Sequence, residues 1–235
     1  MSLEGALGNA ISGLNTSKST IQVISNNIAN VNTEGYSRKI VNPTSRNLDG
    51  VGFGVEIGTI GRTVDQGVLK QVRVETGKFE KLSVKDNFLS QINNFFGRPA
   101  DNNSISHKIA ELGAQFDALA ITPETAPNQS LAVNAAEDIT RELARLSEQV
   151  QSMRLLASNQ IKDAISDINA KMQIVVDTNL EIVNFGNNNR STAELEDQRD
   201  IAINEIAKQI DITYFQRSSG AITLFTKEGK TLLDG

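Results

Sequence analysis

Residues able to do chemistry are few and poorly grouped. His107 is the only histidine, and the chain has no cysteine. One imidazole without thiolates does not make a transition-metal site, and it leaves a Ser-His-Asp arrangement a single candidate base. Placed between Ser106 and Lys108 at a predicted helix start, His107 reads as a surface or cap residue. Gly229-Lys230-Thr231 matches the end of a phosphate-binding loop, but the first glycine of that motif falls on Leu224, and no helix is predicted after it. Gly52 and Gly54 match two positions of a dinucleotide fingerprint whose third position is Ile57, again with no helix following. Asp197 and Asp200 are carboxylates at i and i+3 on one helix face, with Arg199 beside them. Such a pair can serve acid–base chemistry. On an exposed helix next to an arginine, it reads instead as a solvated ion cluster. Asn15, Asn102, Asn128 and Asn189 open N-x-Ser sequons, which matter only on a glycosylating secretory route. No catalytic constellation results, so neither enzyme activity, a cofactor nor a small-molecule substrate is expected.

Composition narrows the partners. The 235 residues carry 23 basic and 28 acidic side chains, for a net charge of −5. No basic stretch stands out, which argues against nucleic acid and against an anionic membrane surface as partners. Aromatic content is 5% with no Trp; a core of Ile, Leu, Val and Ala suits packed helices more than a sandwich. The segment 1–10 has no basic region followed by an apolar stretch, so a Sec-type signal is not predicted. Nor is there a run of about 18 apolar residues. Composition reads as cytoplasmic, or as exported by a route that needs no such signal.

The elements follow from periodicity. Residues 5–31 read as one helix of roughly 40 Å. Leu7, Ile11, Leu14, Ile21 and Ile28 step by threes and fours along it, interrupted at Lys18 and Ser25, with Ile24 and Val31 beside the stripe. The remaining surface is Ser, Thr, Asn and Gln. One apolar stripe cannot bury itself, so it must meet another segment or another molecule. Asn30 to Tyr36 is a helix stop. Over 36–75 the glycines Gly50, Gly52, Gly54, Gly58 and Gly61, with alternation through Val51, Phe53, Val55 and Ile57, predict short extended segments and loops. Val64 to Val74 is left open as a strand or a helix start. Helices are predicted from about 76 to Gly97-Arg98-Pro99, over about 104–120, and over about 128–185. The last carries the stripe Ile139, Leu143, Leu146, Val150, Met153, Ala157, Ile161, Ile165, Ile168, Met172, Val175 and Ile182, with a stutter of successive fours from 153 to 165. Ser191 and Glu194 form a capping box that opens a helix through about Ile210. Ile212 to Phe215 and Ile222 to Phe225 predict a β-hairpin. The chain stops at Leu232-Leu233-Asp234-Gly235, where a β-rich region is just beginning, as expected of a piece of a longer protein. The expected fold is mainly α, a coiled-coil-like long-helix bundle with small extended regions. Its expected divisions are 1–35, 36–75, 76–210 and 211–235.

Ser25-Asn26-Asn27-Ile28-Ala29-Asn30-Val31-Asn32-Thr33-Glu34-Gly35-Tyr36, preceded by Ala10-Ile11-Ser12-Gly13-Leu14-Asn15, closely resembles the N-terminal signature of bacterial flagellar rod, hook and hook-associated axial proteins. Later stretches are similar to the hook-associated members: Gly35-Tyr36-Ser37-Arg38, then Gly54 to Ile57 leading to Ile60, Arg62, Asp65, Gln71 and Arg73. So are Asp197-Gln198-Arg199-Asp200 and Gly229 to Gly235. These matches keep their order over nearly the whole chain.

The resemblance implies an extracellular structural subunit at the junction of hook and filament, exported by the flagellar type III channel and assembled helically. It implies as partners further copies of itself, hook protein, hook-associated protein 3 and an export chaperone. It assigns Leu7, Ile11, Leu14, Ile21, Ile24 and Ile28 to the inner-tube interface. The helices of 76–210 become the middle shell, and the Asn26, Asn27, Asn30, Asn32 and Gly35 set fixes the turn that follows the first helix. In this family that first helix pairs with a C-terminal helix outside these residues, so 1 to about 35 is expected to be loosely held or rearranged. The alternatives are a hook or distal rod protein, a coiled-coil adaptor, and a secreted helical hydrolase.

Overall fold

The computed structural model describes residues 3–48, 51–98, 102 and 104–235. Gly50 and Pro99, both invoked above as breakers, lie outside them, as do residues 1–2 of the predicted N-terminal segment. The chain divides into two compact units, one of residues 1–80 with 166–235 and one of 81–165.

The first unit opens with helix α1 (Leu3–Ala29). After it comes an antiparallel two-stranded ribbon, β1 (Lys39–Leu48) and β2 (Val51–Arg62), paired from Lys39↔Arg62 to Leu48↔Val51. This ribbon is longer and more regular than the predicted short segments. Pro43 sits where the register shifts between Val41 and Pro43, a place where a residue without an N–H is tolerated in a ladder. Helix α2 (Gln66–Phe96) starts about ten residues earlier than predicted. The reason is local: Asp65 Oδ1 accepts from the N–H groups of Gly67 (2.8 Å) and Val68 (3.0 Å), capping a start that the β-branched residues of 68–74 obscure.

Helix α4 (Ala126–Asn187) returns the chain to the first unit, and α5 (Ala193–Gln209) packs there with β3 (Ile212–Gln216), β4 (Ile222–Thr226) and β5 (Thr231–Leu233). The three strands form one antiparallel sheet in the order β3-β4-β5, with Ile212 opposite Thr226 and Leu224 opposite Leu233. Ile168 and Val175 of α4, Ala202, Ile203 and Ile206 of α5, and Ile222, Leu224 and Leu233 of the sheet make the apolar core. Each such side chain contributes roughly 1.5–3 kcal/mol on burial. Gly77 lets α2 come close to α5, since a Cβ there would lie 2.7 Å from the Ala207 carbonyl oxygen. Gly229 closes a turn and Thr231 begins a strand, so the Gly-Lys-Thr stretch leads into β5.

The capping box is corrected. The residue preceding the α5 helix is Thr192, and it makes no side-chain cap bond. Glu194 reaches Lys39, and the Thr192 hydroxyl donates to Glu196 Oε1 at 2.6 Å. A distant lysine outcompetes the local N–H for the Glu194 carboxylate.

The second unit holds helix α3 (Ile105–Ile121) with the adjoining parts of α2 and α4. Ser104 caps α3, accepting from the His107 N–H at 3.2 Å, so His107 donates at a cap as read from the sequence. Buried apolar residues here are Ala132, Ala135 and Leu146. The long stripe of α4 is thus buried at Leu146, Ile168, Val175 and Ile182, whereas Leu143, Val150, Ile161 and Ile165 are exposed.

Candidate functional site

Helix α1 has two distinct faces. At 100° per residue, Ser12, Thr16, Thr20, Val23 and Asn27 share one side, and Leu7, Ile11, Leu14, Ile21 and Ile28 lie on the opposite one. The polar side docks on the ribbon. Thr16 and Val23 are buried. Ser12 Oγ accepts from the Val55 N–H at 3.1 Å, and Thr16 and Thr20 donate back to carbonyls four residues earlier. The apolar side faces away: Leu14 is 70% exposed and Ile21 64%, with Leu7, Ile11, Ile24 and Ile28 also exposed. Against the expectation of a loosely held 1–35, α1 is a continuous helix seated on β1 and β2, and it is the stripe that lies uncovered.

The asparagine signature builds the corner after α1. Asn27 clamps the backbone of β1, with its Oδ1 accepting from the Lys39 N–H at 3.0 Å and its Nδ2 donating to the Lys39 carbonyl at 2.9 Å. Tyr36 Oη donates to the same Oδ1 at 2.9 Å. Asn30 donates to the Asn26 carbonyl at 3.0 Å, and Thr33 Oγ1 donates to Asn30 at 3.1 Å. Asn26, Asn32 and Arg38 are exposed. Gly35 has φ +78°, and a Cβ there would lie 2.3 Å from Ile201 Cγ1. Both facts require glycine.

The second signature meets this corner. Ser37 donates to Asp197 from its N–H (3.1 Å) and from its hydroxyl (2.5 Å). Lys39 Nζ lies 2.5 Å from Glu194 and 3.2 Å from Asp197. Arg62 reaches Glu196 at 2.6 Å, Asp197 at 3.0 Å and Asp200 at 2.6 Å. The Asp200 contact is an ion pair to Oδ2. Arg73 closes the other side, 2.7 Å from Asp200 Oδ1 and from Asn204 Oδ1. Its guanidinium also lies 4.8 Å from the Tyr214 ring centre.

The expected solvated ion cluster is therefore corrected. Asp197 is 3% exposed, Arg199 1% and Asp200 7%; only Gln198 of the four faces solvent. Asp197 and Asp200 are buried because their counter-ions come from β1, β2 and α2, more than a hundred residues away. Arg199 points from α5 toward the sheet, donating to Asn179 Oδ1 (3.0 Å) and to the Gly220 carbonyl (2.7 Å). Asn179 in turn pairs with both backbone groups of Ile222. Burial pushes the Arg199 guanidinium down to about 10, against the pull of Asp200 and Glu196, so it remains charged at neutral pH. For Arg62, burial opposes the charge, but Asp200, Glu196 and Asp197 outweigh it and hold its pKa above the ordinary value. Lys39 is raised in the same way, with Glu194 and Asp197 overcoming burial. Sequence reasoning gave no role to Lys39, Asn179 or Asn204, and it quoted Arg62 and Arg73 only as motif positions. Their partners are too distant in the chain for a local signal.

Among the described residues, no group of three or more His, Asp or Glu is placed to hold a metal ion, and no helix is long and apolar enough to cross a membrane. The arrangement is one of fixed charges and clamped backbone, suited to holding segments in register.

The family model described as flagellar hook-associated protein FlgK helical domain matches residues 89–235, and the model described as flagella basal body rod protein matches 7–36. Flagellar hook-associated protein 1 of Salmonella typhimurium is 22% identical over 99% of this chain and 43% of its own length. The protein of the same name from Escherichia coli is 21% identical over 99% of this chain and 44% of its own length. That from Bacillus subtilis is 20% identical over 94% and 46%. The chain thus spans somewhat less than half the length of these relatives. With its helices, sheet and both signature segments in place, the chain belongs to the flagellar hook-associated protein FlgK helical-domain family.

Proposed function

We propose that this chain is part of a structural subunit at the junction of hook and filament, outside the cell and assembled helically with other axial components. The observation that carries this reading is the exposed stripe Leu7, Ile11, Leu14, Ile21, Ile24 and Ile28 on α1. It is turned away from the chain's own ribbon by a helix whose other face is already satisfied. A stripe of this length on a folded chain calls for a partner surface. Further copies of the chain, hook protein and hook-associated protein 3 are the partners that fit a subunit in this position, and an export chaperone would cover the stripe beforehand. The corner Asn26 to Arg38, locked to Asp197, sets the angle at which the stripe is presented. The helices of 76–210 form the middle shell, and α4 is its spine.

The test is deletion of the gene in its source bacterium, with electron microscopy of the cells and a flagellin blot of the medium. Finished hooks without filaments, with flagellin lost to the medium, are expected. Loss of the hooks themselves would move the protein to the rod or hook class. Normal motile filaments would overturn the reading.

A further inference from the structure

The apolar core of the first unit is built without the first 62 residues. It joins α4 and α5 to the sheet β3–β5, and among the described residues none of α1, β1 or β2 belongs to it or to the partly buried hydrophobic residues packed around it. What ties those three elements to α5 is polar. Ser37 bonds to Asp197, Lys39 pairs with Glu194 and Asp197, and Arg62 pairs with Glu196, Asp197 and Asp200. Ser191 Oγ donates to the Ile60 carbonyl at 3.2 Å. The apolar contribution is small: Gly35 sits beside Ile201, itself 40% exposed, and the buried Ala193 of α5 lines a recess with Ile60 of β2.

Buried ion pairs of this kind gain little net free energy, because desolvation of the charges roughly offsets their attraction, yet they accept only one geometry. The piece they hold has internal order of its own. It includes the β1–β2 ladder, the Asn27 clamp on Lys39, the Ser12 bond to Val55 and the Thr63 N–H bond to the Arg38 carbonyl. Residues 63–65, between β2 and α2, are in neither helix nor strand and supply a hinge.

We propose that the ion cluster around Asp197 is a release latch: α1, β1 and β2 leave α5 as one folded arm, hinged at 63–65, while the apolar core stays closed. Opening breaks the charged contacts, the Ser191 bond and small apolar contacts at Ile201 and Ala193, and leaves the α4–α5–sheet cluster joined. The arm can then turn its stripe to a partner surface, and re-forming the cluster sets it at one angle. The inference rests on this geometry alone, so its failure would leave the junction reading untouched.

The whole 235-residue chain tests it. The chain lacks cysteine, so Thr44→Cys with Lys227→Cys, both at exposed positions, introduces a single pair of spin labels. Electron-electron resonance distances are measured in this background with and without Arg62→Gln, and amide exchange is followed over 222–233. A narrow distance distribution that broadens in Arg62→Gln, while exchange over 222–233 stays within about twofold, is the expected result. A distribution left narrow by Arg62→Gln would overturn the latch. So would exchange over 222–233 rising about tenfold or more alongside the broadening, since arm and core would then be one cooperative unit. Should Arg62→Gln fail to fold, Lys39→Gln, which removes the pairs at the rim, is read by the same two measurements. Global unfolding in both variants also overturns the proposal.

Discussion

Asp197 accepts both donors of Ser37 and faces Lys39 and Arg62, so one carboxylate joins the corner after the first helix to the last helix of the chain. The cluster's alkaline limit can be worked out at Lys39. Its pKa in the fold is raised above the ordinary 10.5. The stabilisation from its pairs is therefore fully present below that value and is lost as pH rises through the higher folded value. Urea midpoints of the wild type and Lys39→Met should differ by a constant amount from about pH 7 to about pH 10, then converge as the pH climbs further. A gap that persists unchanged into strong alkali would show that the side chain acts by packing alone. Gly35 makes the second residue-scale prediction. Its φ of +78° and the 2.3 Å approach of Ile201 to a built Cβ combine backbone strain with a clash, so Gly35→Val should lower unfolding free energy by about 2–4 kcal/mol. Denaturant titration measures it, and a variant as stable as the wild type would refute the geometric requirement. The need for Gly35 was legible in the sequence, because an Asn-rich helix end followed by glycine has a local cause. The burial of Asp197 and Asp200 was not. Nothing near 197–200 announces Arg62 or Arg73, and without counter-ions an Asp-Gln-Arg-Asp stretch belongs in water.

At the scale of elements, α1 shows how much of a helix periodicity reveals. The stripe from Leu7 to Ile28 was legible as one apolar face, and it lies along one exposed side of α1. The opposite face, Ser12, Thr16, Thr20, Val23 and Asn27, gave no apolar signal because its docking is done by hydroxyl and amide groups against strand backbone. The ribbon was only half legible for a similar reason. Phe53, Val55 and Ile57 alternate along β2, whereas β1, with Pro43 followed by four polar residues in a row, is a strand only because β2 and Asn27 pair with it. The start of α2 stayed open between strand and helix because its signal is a single Asp65 cap rather than a hydrophobic period. One prediction belongs to α1. Leu14 and Ile21 are 70% and 64% exposed, so Leu14→Asp with Ile21→Asp should leave the urea midpoint of this chain nearly unchanged, within about 0.5 kcal/mol. In the source bacterium the same pair should abolish filament growth, scored by swarming and by electron microscopy. A large loss of stability in the isolated chain would mean that its own elements cover the stripe.

Across the whole molecule, burial is unevenly shared between the two compact units. In residues 1–80 with 166–235, eight side chains from two helices and a sheet close one core. Among the described residues of 81–165 the buried apolar ones are Ala132, Ala135 and Leu146, while Phe96, Ile109, Phe116, Leu143, Val150 and Ile161 are exposed. Two alanines and a leucine remove far less apolar surface from water than the Ile, Val and Leu residues of the other unit. Helices of this length without tertiary burial are marginal on propensity alone. The second unit should therefore unfold first, and the composition provides a way to see it. The chain has no Trp and two Tyr, and both of them, Tyr36 and Tyr214, lie in the first unit. Tyrosine fluorescence reports that unit alone, whereas helical circular dichroism reports both. In a urea titration the dichroism should fall in two steps, the first at a denaturant concentration where the tyrosine signal is still native, and only the second coinciding with fluorescence. Superimposable curves from the two probes would mean a single two-state transition, and the stability of 81–165 would then have to come from something other than its sparse buried surface.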